Sequence, residues 1–111
     1  MLNLILPWPP TVNTYYRHVG SKVLISAKGR KYRQFVFAEC FNDHIEGRLK
    51  VVIKAYPPDR RKRDLDNTLK GLLDSLQSAK VFDDDEQIDG LRIVRMEPEK
   101  PGRVEVEITN V

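Results

Sequence analysis

The chain has 111 residues, 41% hydrophobic and 32% charged, enough for one domain spanning 1–111 with its own core. Nineteen basic against 16 acidic residues leave a formal charge of +3, and their distribution says more than the total, because bases gather at 28–33 and 60–63 and acids at 83–86. One cysteine and two histidines exclude a disulfide framework and a structural zinc site, and no apolar stretch reads as a signal peptide or membrane span, so a cytoplasmic protein is expected.

Residues 2–6 read as a short strand stopped by Pro7-Trp8-Pro9-Pro10, since proline cannot continue a ladder. A second strand is expected at 22–26. Ser26 is then placed to cap a helix through about Asp43, with Phe37, Phe41 and Ile45 four apart beside Val36 and a buried Cys40, and with Gly47 ending it. Residues 49–56 alternate as a strand with one buried face: Leu49, Val51, Ile53 and Ala55 inward. A second helix, 66–79, carries the stripe Leu65, Leu69, Leu72, Leu73 and Leu76. Strands at 90–96 and 103–109 follow, and the turn-rich link 97–102 between them reads as a hairpin. The expected class is α/β (α+β), in the order β-β-α-β-α-β-β. Its mixed sheet carries both helices on one face.

Two acidic groups stand out: Asp64 with Asp66, directly behind Arg60-Arg61-Lys62-Arg63, and the run Asp83-Asp84-Asp85-Glu86. Like charges gain nothing from being brought together unless a cation lies between them, and hard divalent ions such as Mg²⁺ choose carboxylate oxygens and water. A basic flank beside such an ion suits a polyanionic substrate. Plainer accounts stand beside this one. Asp66 at the N-cap would stabilise the helix, Asp64 would balance the cations before it, and 83–86 would be a solvated loop. Lys70, one helical turn after Asp66, is either a solvated lysine or a charge available to a reacting phosphate.

The chain resembles the RusA-type Holliday-junction resolvases, small phage-derived endonucleases. The matching pieces are Leu6-Pro7-Trp8-Pro9-Pro10 with Asn13 and Tyr15-Tyr16-Arg17-His18, then Ile25-Ser26-Ala27. They continue with Pro58-Asp59-Arg60-Arg61-Lys62-Arg63-Asp64-Leu65-Asp66-Asn67 and Lys70, and with Asp84-Asp85 and Gln87. Arg103 and the last strand complete a match that runs the length of the chain. The resemblance implies catalytic, metal-binding carboxylates at Asp64, Asp66 and Asp85 and a catalytic lysine at Lys70. It also implies dependence on one or two Mg²⁺ ions, which Mn²⁺ could replace, and a homodimer making symmetric cuts in four-way DNA during recombination and repair. Arg60, Arg61, Lys62, Arg63, Asn13 and Arg17 are the expected DNA contacts. Asp83 and Glu86 depart from the family pattern, leaving Asp84 and Asp85 to be told apart. Two readings remain beside it: a nuclease for flaps or forks, and a non-catalytic nucleic-acid-binding module.

Overall fold

Leu4 and Leu6 of the first strand, β1 (Leu2–Pro7), point into the core while Asn3 and Ile5 face solvent, as alternation demands. The computed structural model describes residues 1–111. After β1 come α1 (Val12–Tyr15) and a ribbon of β2 (Tyr16–Val19) and β3 (Lys22–Ile25), then α2 (Ala27–Glu39), β4 (Leu49–Tyr56) and α3 (Asp66–Ser78). A 3₁₀ turn at Asp85–Gln87 leads into β5 (Ile88–Arg95), and β6 (Arg103–Asn110) ends the fold. No helix is long and apolar enough to cross a membrane.

The main sheet has the order β1-β6-β4-β5, with β4 and β5 parallel and the other pairs antiparallel, so it is mixed as expected. Leu49, Val51, Ile53 and Ala55 of β4 and Val104, Val106 and Ile108 of β6 bury one face against Tyr32, Val36 and Cys40 of the α2 layer and Leu72 and Leu76 of α3. The other face carries Lys50, Lys54, Glu105 and Glu107, with Lys54 opposite Glu105. The helices therefore lie on one side only.

The expected hairpin does not form. β5 pairs with β4, and the chain then crosses β4 to insert β6 beside β1. Burial explains the choice. β6 contributes three side chains at most 2% exposed, whereas β5 carries Asp89, Gly90, Arg92 and Arg95 and suits an edge. The strand expected at 22–26 joins a separate ribbon with β2, an element that sequence pattern alone did not mark.

Ser26 does cap α2, its Oγ accepting from Gly29 N at 3.0 Å. The helix ends at Glu39, however, and its buried ridge runs Gly29, Tyr32, Val36, with Cys40 following at the cap. Phe37 and Phe41 lie one position round from that ridge, about 100° away, and are 50% and 69% exposed. Gly47 does not stop the helix. It sits eight residues past it with φ +84°, in the bend that leads into β4. Cys40 is fully buried, and burial, followed by Asp43 and Glu39, pushes its thiol up to about 11, so it remains protonated and inert.

Tyr15 locks the helices together. Its hydroxyl donates to Asp74 at 2.6 Å and accepts from Arg33 Nε at 2.7 Å, and burial, then the Asp74 bond, raises its pKa to about 12. Gly71 makes room for the ring, since a Cβ there would stand 3.0 Å from Tyr15 Cδ2. This contact seats α1, and with it Thr11, against α3.

Candidate active site

The segment Pro57 to Leu65 carries the basic run from the end of β4 to the start of α3, where the two leading carboxylates lie. Leu65, half-buried against the core, anchors the start of α3, as expected. Asp66 does not cap it: Leu65 occupies the cap position in helical geometry, no side chain caps the helix, and Asp66 is its first residue. Asp64 and Asp66 are both exposed, and neither carboxylate accepts a hydrogen bond or forms an ion pair. Lys70, on the next turn, is also exposed and unpaired.

Three of the four cations in front of Asp64 find other partners. Arg63 reaches Asp59 at 2.8 Å and lies 5.9 Å over the ring of Trp8, while Arg61 also approaches Asp59 and Arg60 approaches Glu97, at 3.5 and 3.6 Å. The hydrogen bonds from Arg63 and Arg61 N hold the Asp59 carboxyl below the usual range. Charge balance thus does not explain Asp64, nor capping Asp66. Trp8 is partly buried against the core, its packing role.

Asp64 lines a cleft of about 290 Å³ with Thr11, Lys62, Arg63, Asn67 and Thr68. Thr68 is buried, its hydroxyl donating to Leu65 O at 2.7 Å, which stiffens the first turn of α3. Asn13 is exposed on α1, two residues beyond Thr11, and Arg17 is exposed and unpaired on the ribbon. Thr11 comes from a part of the chain some fifty residues away, and no local pattern foretold its place in this cleft.

The acidic run folds into a tightly held turn. Gln87 Oε1 accepts from the N–H groups of Asp83 and Asp84 at 2.9 and 3.0 Å, Gln77 Oε1 from that of Asp85 at 3.0 Å, and Asp84 Oδ1 from that of Glu86 at 3.0 Å. Four consecutive donors are therefore satisfied, and the turn offers carboxylate acceptors to its surroundings. Arg48 grips Glu86 at 3.0 Å and Asp89 at 2.5 Å. With Asp84 capping the turn and Glu86 held by Arg48, Asp85 and Asp83 are the acids of the run whose carboxylates have no partner within the chain. This distinguishes Asp85 from Asp84.

Asp85 lies far from Asp64 and Asp66 in a single chain. Its N–H is bound to Gln77, eleven residues along α3 from Asp66, a separation of about 16 Å. Strand β5 gives a second ruler. Ile88 follows the acidic turn, while Arg95 Nη2 donates to Arg63 O at 2.8 Å, and seven strand steps between them span about 23 Å. No three carboxylate, imidazole or thiolate groups of one chain gather into a metal-sized cluster. Mg²⁺ takes one or two direct carboxylates and keeps several waters, so the exposed Asp64 and Asp66 have the donor chemistry for such an ion without Asp85.

The sequence pattern described as Endodeoxyribonuclease RusA matches residues 7–109. The chain is 44% identical to the crossover junction endodeoxyribonuclease rusA of Enterobacteria phage HK97, over 96% of this chain and 92% of that protein. It is 40% identical to the crossover junction endodeoxyribonuclease RusA of Escherichia coli strain K12, over 98% of this chain and 94% of that one. For the enzyme of the same name from Enterobacteria phage 82, identity is 38% over the same shares. A match of this extent and specificity, on a chain that presents the Arg-Asp-Leu-Asp-Asn block at the head of a helix, makes the protein a member of the RusA family of endodeoxyribonucleases.

Proposed function

We propose that this protein is a Mg²⁺-dependent endonuclease that resolves four-way DNA junctions as a homodimer. One observation carries the reading: Asp64 and Asp66 stand exposed and unpaired immediately behind four cations, with neither capping nor charge balance to account for them. Two exposed, unpaired carboxylates one residue apart offer the hard oxygen ligands that a divalent ion takes. Family membership supplies the substrate class, and paired cuts in a four-way junction need two sites, which a two-fold axis provides from one sequence.

In this reading Asp64 and Asp66 hold the ion at the head of α3. Mg²⁺, when bound, polarises a phosphate and lowers the pKa of attacking water. Asp85 serves the site of the second chain, because a two-fold axis that reverses α3 brings the far end of one helix toward the near end of the other. Arg60, Arg61 and Lys62 reach phosphates flanking the cut, and Asn13 and Arg17 extend the contact along the DNA. Arg63, only 18% exposed and bound to Asp59, braces the loop from which they project. Lys70 directs its charge at the phosphate as negative charge builds in the transition state.

The test is a panel of labelled substrates (four-way junction, fork, flap and linear duplex) incubated with the purified protein in Mg²⁺ or EDTA. Symmetric paired cuts in the junction alone, present only with the metal, are expected. Equal cutting of flaps or forks would transfer the assignment to those substrates, and binding without cutting would leave a non-catalytic module.

Two substitutions probe the roles within the site. Lys70→Ala should slow single-turnover cleavage by about 10² to 10³ while leaving junction binding within a few-fold, the scale of losing one preorganised charged donor. An unchanged rate would remove Lys70 from the chemistry, leaving a surface lysine. Within the acidic run, Asp85→Asn should be far more damaging to cleavage than Glu86→Gln or Asp83→Asn, as compared at saturating Mg²⁺. Equal, mild losses at all three positions would return the run to the status of a solvated loop.

A further inference from the structure

Next to the cleft that holds Asp64 lies a second one, of about 420 Å³, between the loop 57–63 and residues 95–98. The two share Lys62 and Arg63 as a common wall. Five cations line the second cleft, Arg60 to Arg63 and Arg95, against the carboxylates Asp59 and Glu97. Three of the five are engaged: Arg60 with Glu97, and Arg61 and Arg63 with Asp59. Two carboxylates against five cations leave a net positive cleft, and Lys62 and Arg95 are its two exposed cations that form no ion pair. They sit more than thirty residues apart in sequence.

We infer that Arg95 is a phosphate-binding residue, and that with Lys62 it holds a DNA backbone phosphate in this cleft, adjoining the one cut beside Asp64. A single guanidinium hydrogen bond, from Nη2 to Arg63 O at 2.8 Å, fixes the Arg95 side chain in place across the loop. A guanidinium has five N–H donors spread round a planar group, so with one held by Arg63 O it still has a free edge with two parallel donors for a ligand. A tetrahedral oxyanion, with several acceptors and more than one negative charge to share, fits that edge, and a carboxylate from the chain itself does not occupy it. The bond to the carbonyl next to Asp64 also ties the phosphate grip mechanically to the carboxylate pair. The nature of the ligand rests on the DNA-cleaving assignment above.

Salt dependence of junction binding in EDTA, measured by fluorescence anisotropy over a KCl series, tests the inference without requiring metal or cleavage. Each phosphate contact contributes about 0.9 to the slope of log K against log salt. Arg95→Gln should flatten the slope by about that amount and weaken binding several-fold, and Arg95→Lys should restore the slope. Arg92→Gln, an identical charge loss three residues earlier on the other face of β5, should leave it unchanged. A slope for Arg95→Gln equal to wild type, or an equal drop for Arg92→Gln, would overturn the assignment.

A second measurement uses the wild-type chain, so folding of a variant does not enter. Modification by the arginine reagent phenylglyoxal, read by mass spectrometry, should be blocked at Arg95 by bound junction DNA and not at Arg92. Equal labelling of Arg95 with and without DNA would sink the proposal. If the wild-type protein itself binds junctions with no salt dependence, the DNA assignment falls instead, which keeps the two failures distinct.

Discussion

Asp66→Asn should yield a folded protein that binds four-way DNA and does not cut it. Folding should survive because the Asp66 side chain makes no hydrogen bond or ion pair and is exposed. What the change removes is one negative charge in the first turn of a helix, where favourable interaction with the macrodipole amounts to about 0.3–1 kcal/mol. A small fall in melting temperature is therefore the whole expected stability effect. Cleavage should fall by about 10³ or more, because the asparagine retains an oxygen but not the charge that holds a divalent ion. Binding should be equal or tighter, since a negative charge facing the DNA backbone has been deleted. Thermal melts, binding in EDTA and single-turnover cleavage in Mg²⁺ separate these quantities. Cutting within tenfold of wild type would remove Asp66 from the metal site.

The sequence rendered some of this molecule plainly. Alternation in 49–56 and 103–109 identified the two strands that turn out to be central, and the leucine stripe of α3 and the Ser26 cap were equally local signals. Strand order was not legible, because it depends on which strand can best bury both neighbours. The polar β5 lost the central place to β6 for that reason. The short α1 and the ribbon after it were hidden as well, since Val12–Tyr15 is helical chiefly because Tyr15 docks beneath α3, beside Gly71. In α2 the phenylalanines misled: Phe37 and Phe41 keep helical spacing yet face solvent, because Tyr32 and Val36 fix the buried ridge.

The acidic groups show the same division. The Asp64-Leu65-Asp66 block could be read directly, but its lack of an ion pair with the neighbouring arginines could not, since Asp59 and Glu97 take them through loop geometry. Nor could the position of Asp85. It lies six steps of chain beyond Ala79, long enough in extended form to reach about 20 Å, so the chain length permitted many placements. The bond from Asp85 N to Gln77 selects one, at the far end of α3 from Asp66.

That separation leads to a complementation result. Asp66→Asn and Asp85→Asn homodimers should each be inactive, and a heterodimer of the two should regain cleavage at one site. If each site takes Asp64 and Asp66 from one chain and Asp85 from the other, the mixed dimer contains one site with both defects and one with none. It should nick one strand of a junction at a rate approaching that of a single wild-type site, without completing the paired cut. If instead each chain built its site alone, every site in the mixed dimer would carry a defect and nothing would be recovered. The single-chain arrangement requires Asp85 to leave its place beside Gln77, which lies about 16 Å along α3 from Asp66, against the hydrogen bonds that Gln77 and Gln87 accept from its turn. Co-expressed, differently tagged chains purified through both tags provide the heterodimer, and light scattering confirms its mass against that of the 12.9 kDa chain. A mixed dimer as inactive as its parents would refute the shared site, and a monomer on junction DNA would refute the dimer itself.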